Sequence, residues 1–372
     1  ADYCFPNALE AIEALQCVVD FAGKAPKALY YLGNLWYDKR RYPTAIAAWE
    51  RSSREDETFP TVWRNLSLAY FNKMNRPDEA VALLEKAFRL DHTDARVLME
   101  LDQLYKRLNR PHIERLCFLE QHIDIVMTRD DLYLEYVTLL NQTGQYREAI
   151  RRIDQRKFHP WEGGEGKVPA QYQLARLELA KELINRKKYD DALALIDECY
   201  IYPTHLGEGK LPGAQENDFN YYKAYILQQQ GRPEEAHSLF VKACSGNSQP
   251  AAAMYYNDQK PDKIFYQGLA YRKLGEEENA RSRFNQLITY GEEHLFDRFK
   301  MDYFAVSLPD LLIWEDDMDK KNRIHCNYLM ALGHLGLGNR TKAEHFFDIA
   351  ASMDNNHQGV QIHRKLMNTI LS

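Results

Sequence analysis

The sequence of 372 residues predicts an all-α protein built as a continuous array of helical hairpins. Three observations lead to this prediction. The same order of large and small apolar residues recurs at a nearly constant spacing, a short turn with Gly, Asn or Pro interrupts the recurrences, and an acidic residue follows the turn. A fixed period of this length is typical of repeat proteins, in which each unit buries its apolar face against the next.

The repeat is clearest near the beginning of the chain. In "ALYYLGNLWYDKRRYPTAIAAWERS", a helix with Leu32, Gly33 and Trp36 precedes a polar turn, and a second helix carries Ala45 and Trp49 on one face. The stretch "VWRNLSLAYFNKMNRPDEAVALLEKAFRLD" repeats this order. Small side chains allow two antiparallel helices to approach, and large ones fill the grooves between them. The pattern therefore predicts pairs of tightly packed helices.

The first small residue of each second helix marks the period. Eight positions carry this marker, one of them degenerate: Ala45, Ala80, Glu114, Ala149, Ala192, Ala236, Ala280 and Ala343. Their separations are 35, 34, 35, 43, 44, 44 and 63 residues. This series predicts three parts: regular repeats with an N-terminal half-repeat over 1–155, expanded repeats over 156–300, and an insertion with a C-terminal repeat and a capping helix over 301–372.

The units resemble the tetratricopeptide repeat, a helix-turn-helix unit of 34 residues. That family places a bulky residue, Leu, a small residue and Tyr on the first helix, and Ala, a bulky residue and Ala on the second, as Trp63, Leu66, Tyr70, Ala80 and Ala87 do here. The resemblance implies a right-handed superhelical α-solenoid of about eight repeats, the later ones with inserted loops.

The chain also resembles the C-terminal half of large uncharacterised bacterial proteins, in which a β-rich N-terminal domain precedes a tetratricopeptide array. The segments "YPTHLGEGKLPGAQENDFNYYKA" and "DYFAVSLPDLLIWEDD" carry this second resemblance. It implies a cytoplasmic protein with a link to carbohydrate metabolism, and it supplies no catalytic residue. Because the sequence begins at Ala1 rather than Met, we expect a fragment of a longer chain.

In tetratricopeptide proteins the first helices line an inner groove. The groove positions of the repeat fall on Tyr30, Asn34, Tyr37, Arg64, Phe71, Gln103, Lys106, Lys181, Tyr221, Tyr225, Gln228, Phe265, Arg272, His325 and Tyr328. Aromatic, arginine and amide side chains are common in recognition surfaces, so we expect them to bind a protein or peptide segment. About half of the tyrosines could instead pack only against a neighbouring helix, as large aromatic residues often do.

Some members of the family bind a C-terminal carboxylate with a lysine, two asparagines and a basic pair. Asn34 and Asn65 stand at the asparagine positions and Arg96 at one basic position. However, Tyr30 replaces the lysine and Glu100 stands in place of an arginine. This departure argues against carboxylate recognition of that type.

Two expanded repeats contain nearly identical loops, "GEGKVP" at 164–169 and "GEGKLP" at 207–212. A nucleotide-binding P-loop needs a preceding strand and a Ser or Thr after the lysine, and both are missing. Two interpretations stay open. Either the glycines only provide turn conformations, or the loops contact a carbohydrate or anionic metabolite through Trp161, Glu165, Lys167, His205, Glu208 and Lys210.

Composition and motifs exclude several other classes of function. The 48 basic and 54 acidic residues give a net charge of -6, so nucleic acid is not an expected partner. The six cysteines lack zinc-site spacing, no apolar run reaches membrane-spanning length, and no catalytic motif appears. We therefore expect neither metal nor cofactor, and a non-catalytic scaffold that binds a protein or peptide, or its own N-terminal domain. A ligand-binding or catalytic accessory role of the inserted loops is the alternative.

Overall fold

The computed structural model describes residues 7–161, 163–253, 258–298 and 313–367. Within these ranges the chain folds into nineteen α-helices and one short 3-10 helix, Thr204–Leu206, and contains no β-strand. The predicted fold class, an all-α array of helical hairpins, is confirmed. No helix in the described ranges has both the length and the apolar composition needed to cross a membrane.

The chain divides into two compact units. The first comprises the described residues of 1–110, 117–132 and 308–315, and the second those of 111–116, 133–307 and 316–372. Six helices lie wholly in the N-terminal segment of the first unit: α1 (Glu10–Phe21), α2 (Pro26–Asp38), α3 (Tyr42–Glu55), α4 (Pro60–Met74), α5 (Pro77–Leu90) and α6 (Ala95–Arg107).

Three helices follow around the boundary of the two units, and ten belong to the second unit. The three are α7 (His112–Gln121), α8 (Ile123–Val126) and α9 (Asp130–Gln142). The ten are α10 (Tyr146–Asp154), α11 (Lys167–Asn185), α12 (Tyr189–Cys199), α13 (Asn217–Gln229), α14 (Pro233–Ala243), α15 (Pro261–Lys273), α16 (Glu277–His294), α17 (Met318–Gly336), α18 (Arg340–Met353) and α19 (Gln358–Leu366).

Each of the eight successive hairpins turns through one residue with left-handed backbone geometry. These residues are Arg40, Asn75, Asn109, Gly144, Lys187, Gly231, Gly275 and Gly338, with φ between 52° and 81°. Glycine adopts this geometry without steric cost, and asparagine tolerates it better than other residues. The turn between the two helices of each repeat thus has the same geometry although its residue type varies. This accounts for the constant distance in sequence between each turn residue and the marker residue of the following helix.

The marker residues of the second helices are almost completely buried. Ala45, Ala80 and Ala280 are 0% exposed, and Ala236 is 2% exposed. The degenerate copy differs, because Glu114 is exposed and the next two residues, Arg115 and Leu116, are buried instead. In the repeat formed by α15 and α16, the first helix also carries a small residue because the two helices approach closely. A Cβ on Gly268 of α15 would lie 2.4 Å from the ring of the fully buried Phe284 on α16.

We predict that the turn residues set part of the stability of each repeat. Gly275→Ala should cost about 1 kcal/mol, because alanine is strained at positive φ, whereas Lys187→Gly should relieve such strain and not lower stability. Thermal unfolding followed by circular dichroism would measure both variants against the wild type. If Gly275→Ala were as stable as the wild type and Lys187→Gly were less stable, this account of the turns would be contradicted.

Candidate binding site

The first unit contains a cavity of about 430 Å³ on its first helices. Four of the predicted groove residues line it: Tyr30, Asn34, Tyr37 and Arg64. The indole Nε1 of Trp49 and the side-chain nitrogen of Asn65 both donate to Asn34 Oδ1, at 3.0 and 2.8 Å. Tyr30 is only 1% exposed, so most of its ring belongs to the core rather than to the cavity wall.

One buried carboxylate pairs with two of the three arginines that line this cavity. Arg64 donates to both oxygens of Glu100, at 2.7 and 2.6 Å, and Arg96 donates to the same carboxylate at 3.0 Å. Glu100 itself is 0% exposed. Glu100 stands where a carboxylate-binding repeat of that type has an arginine, and it holds the guanidinium groups of Arg64 and Arg96 in place.

The second unit contains a larger cavity, of about 580 Å³, between the first helices of its repeats and the terminal helix. Two ion pairs lie on its wall. Lys181 Nζ lies 2.5 Å from Glu178 Oε1, and Lys263 Nζ lies 2.5 Å from Asp218 Oδ1. All four side chains are nearly inaccessible, with exposed fractions between 8% and 12%. Coulombic attraction to Glu178 offsets the burial of the Lys181 ammonium, and the pKa of Lys181 is raised as a result.

A histidine on α19 forms part of the same wall. His363 Nδ1 lies 2.8 Å from the carbonyl of Gly359 and 3.0 Å from the hydroxyl of Tyr328. Since the carbonyl can only accept, Nδ1 carries the proton of the neutral ring, and Nε2 is left as an acceptor with no hydrogen-bond partner among the described residues. Burial lowers the pKa of His363 to about 4.

A second histidine of this cavity was expected from the sequence. His325 of α17 lies 2.8 Å, through Nε2, from the carbonyl of Ala251, and burial lowers its pKa to about 4. Both rings are therefore neutral at pH 7, and the charged groups of the wall are the lysines and the carboxylates.

The structure brings only some of the predicted groove residues of the second unit to this cavity. Lys181, His325 and Tyr328 line it. By contrast, Tyr221 and Phe265 are 4% and 0% exposed and belong to the hydrophobic core, so their rings present no surface to a partner. The remaining predicted residues of this unit, Tyr225, Gln228 and Arg272, do not line the cavity.

Two of these remaining residues, Arg272 and Tyr225, contact side chains of the same or a nearby helix. The guanidinium of Arg272 pairs with Glu277 at 3.2 Å, Tyr225 is half-buried with the ammonium of Lys273 5.7 Å from its ring centre, and Gln228 is exposed. In the first unit, Gln103 and Lys106 are half-buried on α6. A binding role of these residues stays a prediction.

Sequence reasoning missed most of the charged wall. Glu178, Asp218, Lys263 and His363 line the cavity, and none follows from the groove positions of the repeat. One signal was available: the first three lie on first helices, two or three residues before the predicted groove positions Lys181, Tyr221 and Phe265. Among the described residues, no three His, Cys, Asp or Glu side chains come together where they could hold a metal ion.

The two "GEGK" loops meet each other. The backbone amide of Gly166, which precedes α11, donates to the carboxylate of Glu208 in the other loop at 2.7 Å. The amide of Phe158 donates to the carbonyl of His205 at 2.8 Å, which joins the two insertions a second time. Burial raises the pKa of Glu208, although its bond to Gly166 acts in the opposite direction.

A cavity of about 260 Å³ lies beside this contact. Trp161, Glu165 and Glu208 line it, together with His159, Pro160, Gly164, Val168 and Leu206. The two predicted lysines do not: Lys210 pairs with Glu216 and donates to the carbonyl of Tyr200 at 3.0 Å, and Lys167 is the first residue of α11. The loops thus present carboxylates and an indole to the cavity.

Comparison with known proteins agrees with the repeat pattern. Residues 60–94 and 264–290 match two family models described as tetratricopeptide repeat. These two segments are tetratricopeptide repeats. Each match covers one helical hairpin, α4 with α5 and most of α15 with α16.

Several solved structures match this chain at low sequence identity and with TM-scores below 0.5. One is YrrB, titled as a tetratricopeptide protein with an unusual peptide-binding site, at 15% identity and a TM-score of 0.38, covering 50% of this chain and 91% of that one. A second is Naa15/Naa10 bound to HypK-THB, at 13% identity and a TM-score of 0.42, covering 96% and 63%. A third, from Parabacteroides merdae, has 15% identity and a TM-score of 0.33, covering 70% and 91%.

We predict that His363 makes the second unit sensitive to acid. Its pKa is about 4 in the folded chain and 6.5 in a free side chain. Between these values the unfolded chain takes up a proton that the folded chain does not, so stability is full above pH 6.5 and falls as the pH drops towards 4. At pH 5 the loss should be about 2 kcal/mol.

The measurement is the melting temperature at pH 7 and pH 5 for the wild type and for His363→Gln. The groups that face His363 include Glu178, Asp262, whose pKa the neighbouring Lys263 lowers against the effect of burial, and Lys181, whose pKa Glu178 raises against the effect of burial. The variant should lose part of the pH dependence, whereas His345→Gln, at an exposed position of α18, should keep all of it. Parallel pH curves for the wild type and His363→Gln would refute the assignment.

A further prediction concerns the contact between the loops. Glu208→Ala should lower stability by about 1 kcal/mol, because it removes a carboxylate that accepts from the backbone at the start of α11. Glu165 is the matched control, since it occupies the same place in the other loop and is exposed. Thermal unfolding should show a smaller loss for Glu165→Ala. Equal losses would mean that the contact with Gly166 has no special weight.

Proposed function

We propose that this chain is a non-catalytic scaffold that binds a protein or peptide segment, with the cavity of the second unit as the main site. Tetratricopeptide repeats generally serve as scaffolds of this kind, with binding surfaces on their first helices. The observation that carries the proposal is the pair of buried ion pairs, Lys181 with Glu178 and Lys263 with Asp218, on the wall of a cavity of about 580 Å³.

These ion pairs are poorly explained by stability alone. Burying two charges costs desolvation energy that their attraction often fails to recover, and apolar residues of similar volume would hold the helices equally well. A cavity wall is different, because a bound polar segment can form hydrogen bonds with the charged groups while it excludes water. Buried titratable groups around a large cavity are a common feature of binding sites.

Two further groups support a peptide with an acidic side chain. Lys260 lies on the cavity wall and forms no ion pair with a described residue, so its ammonium is available to a carboxylate. Nε2 of His363 is an acceptor without a partner in the described part of the chain, and a backbone N–H or a hydroxyl would fill this need. A peptide segment supplies a carboxylate and N–H donors together.

The source of the segment has two candidates. One is a separate protein, and the other is an N-terminal domain of the same polypeptide, as the resemblance to longer bacterial proteins suggests. Both would present the same chemistry to the cavity. We also propose a cytoplasmic location, again from that resemblance.

A second candidate function rests on the cavity beside the "GEGK" loops. An indole with two carboxylates, Trp161 with Glu165 and Glu208, suits a carbohydrate, because the ring can cover the apolar face of a sugar while the carboxylates accept from its hydroxyls. An anionic metabolite fits less well, since these carboxylates would repel it and neither Lys167 nor Lys210 lines the cavity.

We predict that peptides selected by display on the purified chain carry acidic residues and bind through Lys260. Lys260→Ala should weaken their binding about tenfold, the value of one charge-assisted hydrogen bond, as measured by calorimetry. Lys242→Ala is the matched control, because this lysine is exposed on α14 of the same unit. Equal affinities of the two variants would place the peptide outside the cavity.

The carbohydrate alternative needs a separate measurement. A thermal-shift screen of sugars and phosphates against the wild type, Trp161→Ala and the Lys167→Ala, Lys210→Ala double variant distinguishes the cases. A sugar that stabilises the wild type and the double variant, but not Trp161→Ala, would establish the second candidate. If no compound raises the melting temperature, that candidate is eliminated and the peptide proposal is unaffected.

A further inference from the structure

The first unit contains a short segment of the chain that is held as a bound peptide would be. Ile313–Glu315 lies against α4 and α6, which precede it by more than 200 residues in the sequence. Two side chains of the helices contact the backbone of this segment. A pocket surrounds its large side chain, and a lysine pairs with its acidic side chain. Each of these has a counterpart in peptide recognition by repeat proteins and other domains.

The first contact is an asparagine that holds the backbone. The side-chain nitrogen of Asn72 donates to the carbonyl of Ile313 at 2.8 Å, and its oxygen accepts from the amide of Glu315 at 3.0 Å. A single amide side chain thereby satisfies two backbone groups that are two residues apart. Such bonds are available to any peptide of suitable conformation, since they involve no side chain of the segment.

Two charged side chains contact the C-terminal part of the segment, Trp314 and Glu315. Arg107 donates to the carbonyl of Trp314 at 3.0 Å and to that of Glu315 at 3.4 Å. Lys73 of α4 forms an ion pair with the carboxylate of Glu315. The ammonium of Lys73 also lies 4.5 Å from the ring centre of Tyr42, which helps to fix its position. These two cations favour a segment with an acidic residue at the position of Glu315.

The anchor of the segment is its tryptophan. Trp314 is 1% exposed, which makes it one of the largest fully buried side chains among the described residues. Its Nε1 donates to the carbonyl of Glu100 at 3.1 Å, and its ring meets the edge of Phe71, with 5.2 Å between ring centres. Tryptophan is enriched among the residues that contribute most to binding in protein interfaces, and its N–H usually has a hydrogen-bond partner when it is buried.

We propose that the face formed by Phe71, Asn72, Lys73, Glu100 and Arg107 is a peptide-binding site for a tryptophan followed by an acidic residue, and that Ile313–Glu315 is its resident occupant. A segment of another protein with the same chemistry binds this site by displacing the resident segment. The proposal rests on the first unit alone, so it stands or falls independently of the cavity in the second unit.

Competition follows directly from the covalent connection. A tethered segment has an effective concentration on the order of millimolar, so a free peptide with the same contacts binds the wild-type chain only weakly. The resident segment therefore sets the minimum affinity that an external partner needs in order to displace it. A partner must either exceed this threshold through further contacts or meet the chain when the segment has left the site.

The test uses the full chain and the peptide Ac-IWEDD-NH2, which reproduces residues 313–317. In an open variant, Ile313, Trp314 and Glu315 are replaced together by glycine (Ile313→Gly, Trp314→Gly, Glu315→Gly). We expect this variant to bind the peptide at least about tenfold more tightly than the wild type, by calorimetry. Ac-IAEDD-NH2 should lose about tenfold or more in affinity, because it lacks the anchor.

Second substitutions in the open variant locate the site. Asn72→Ala and Arg107→Ala should each weaken binding of Ac-IWEDD-NH2 about tenfold. Arg89→Ala removes an exposed arginine of α5 in the same unit and should leave the affinity unchanged. An open variant that keeps its helical circular dichroism but binds no peptide would overturn the proposal, as would binding that is insensitive to Asn72→Ala.

Hydrogen exchange on the wild type decides the case if the open variant does not fold. Millimolar Ac-IWEDD-NH2 should raise exchange at the amide of Glu315, because the free peptide takes the place of the resident segment and the amide loses its bond to Asn72. Ac-IAEDD-NH2 should have no such effect. Unchanged exchange with both peptides would show that the segment is a fixed part of the fold and would refute the proposal.

Discussion

Close approach of the two helices in each repeat is the constraint on which the rest of this structure depends. The marker alanines of the second helices, such as Ala80 and Ala280, have no exposed surface because the first helix of the same repeat lies directly against them. The apolar side chains of a hairpin are buried in this contact and in the contact with the next hairpin. The remaining faces of the first helices are then free to carry polar groups, and the charged and amide side chains of both units lie there.

This constraint explains why the fold could be predicted and only part of the lining of the two cavities could be predicted with it. Small residues and turns are local features, so their spacing marked all eight hairpins, including the degenerate one at Glu114. Which residues of a first helix face a cavity depends on the rotation of that helix against its neighbours. In α13 the repeat positions pointed to Tyr221, which lies in the core, whereas Asp218, three residues earlier, lines the cavity.

The two "GEGK" loops also show which contacts could not be predicted from the sequence. Their similarity is visible in the sequence, and it suggested either a turn geometry or a shared ligand. The bond between Gly166 and Glu208 joins residues 42 positions apart, and no spacing rule predicts that one copy accepts from the backbone of the other. The glutamates are alike in sequence, but Glu165 is exposed and accepts from the amide of Gly163, whereas Glu208 is half-buried and accepts from the amide of Gly166 at the start of α11.

Both units have buried ion pairs beside a cavity, but the groups around these pairs differ. In the first unit, Glu100 pairs with Arg64 and Arg96, and its backbone carbonyl accepts from the indole of Trp314. The proposed peptide site there consists of Asn72 and Arg107, which contact the backbone, of Lys73, which contacts a carboxylate, and of the pocket for the indole. In the second unit, the ion pairs lie on the cavity wall itself, where a ligand would meet them without screening by water. Under the two proposals, the first unit takes a tryptophan followed by an acidic residue, and the second unit takes a segment that supplies a carboxylate and N–H donors.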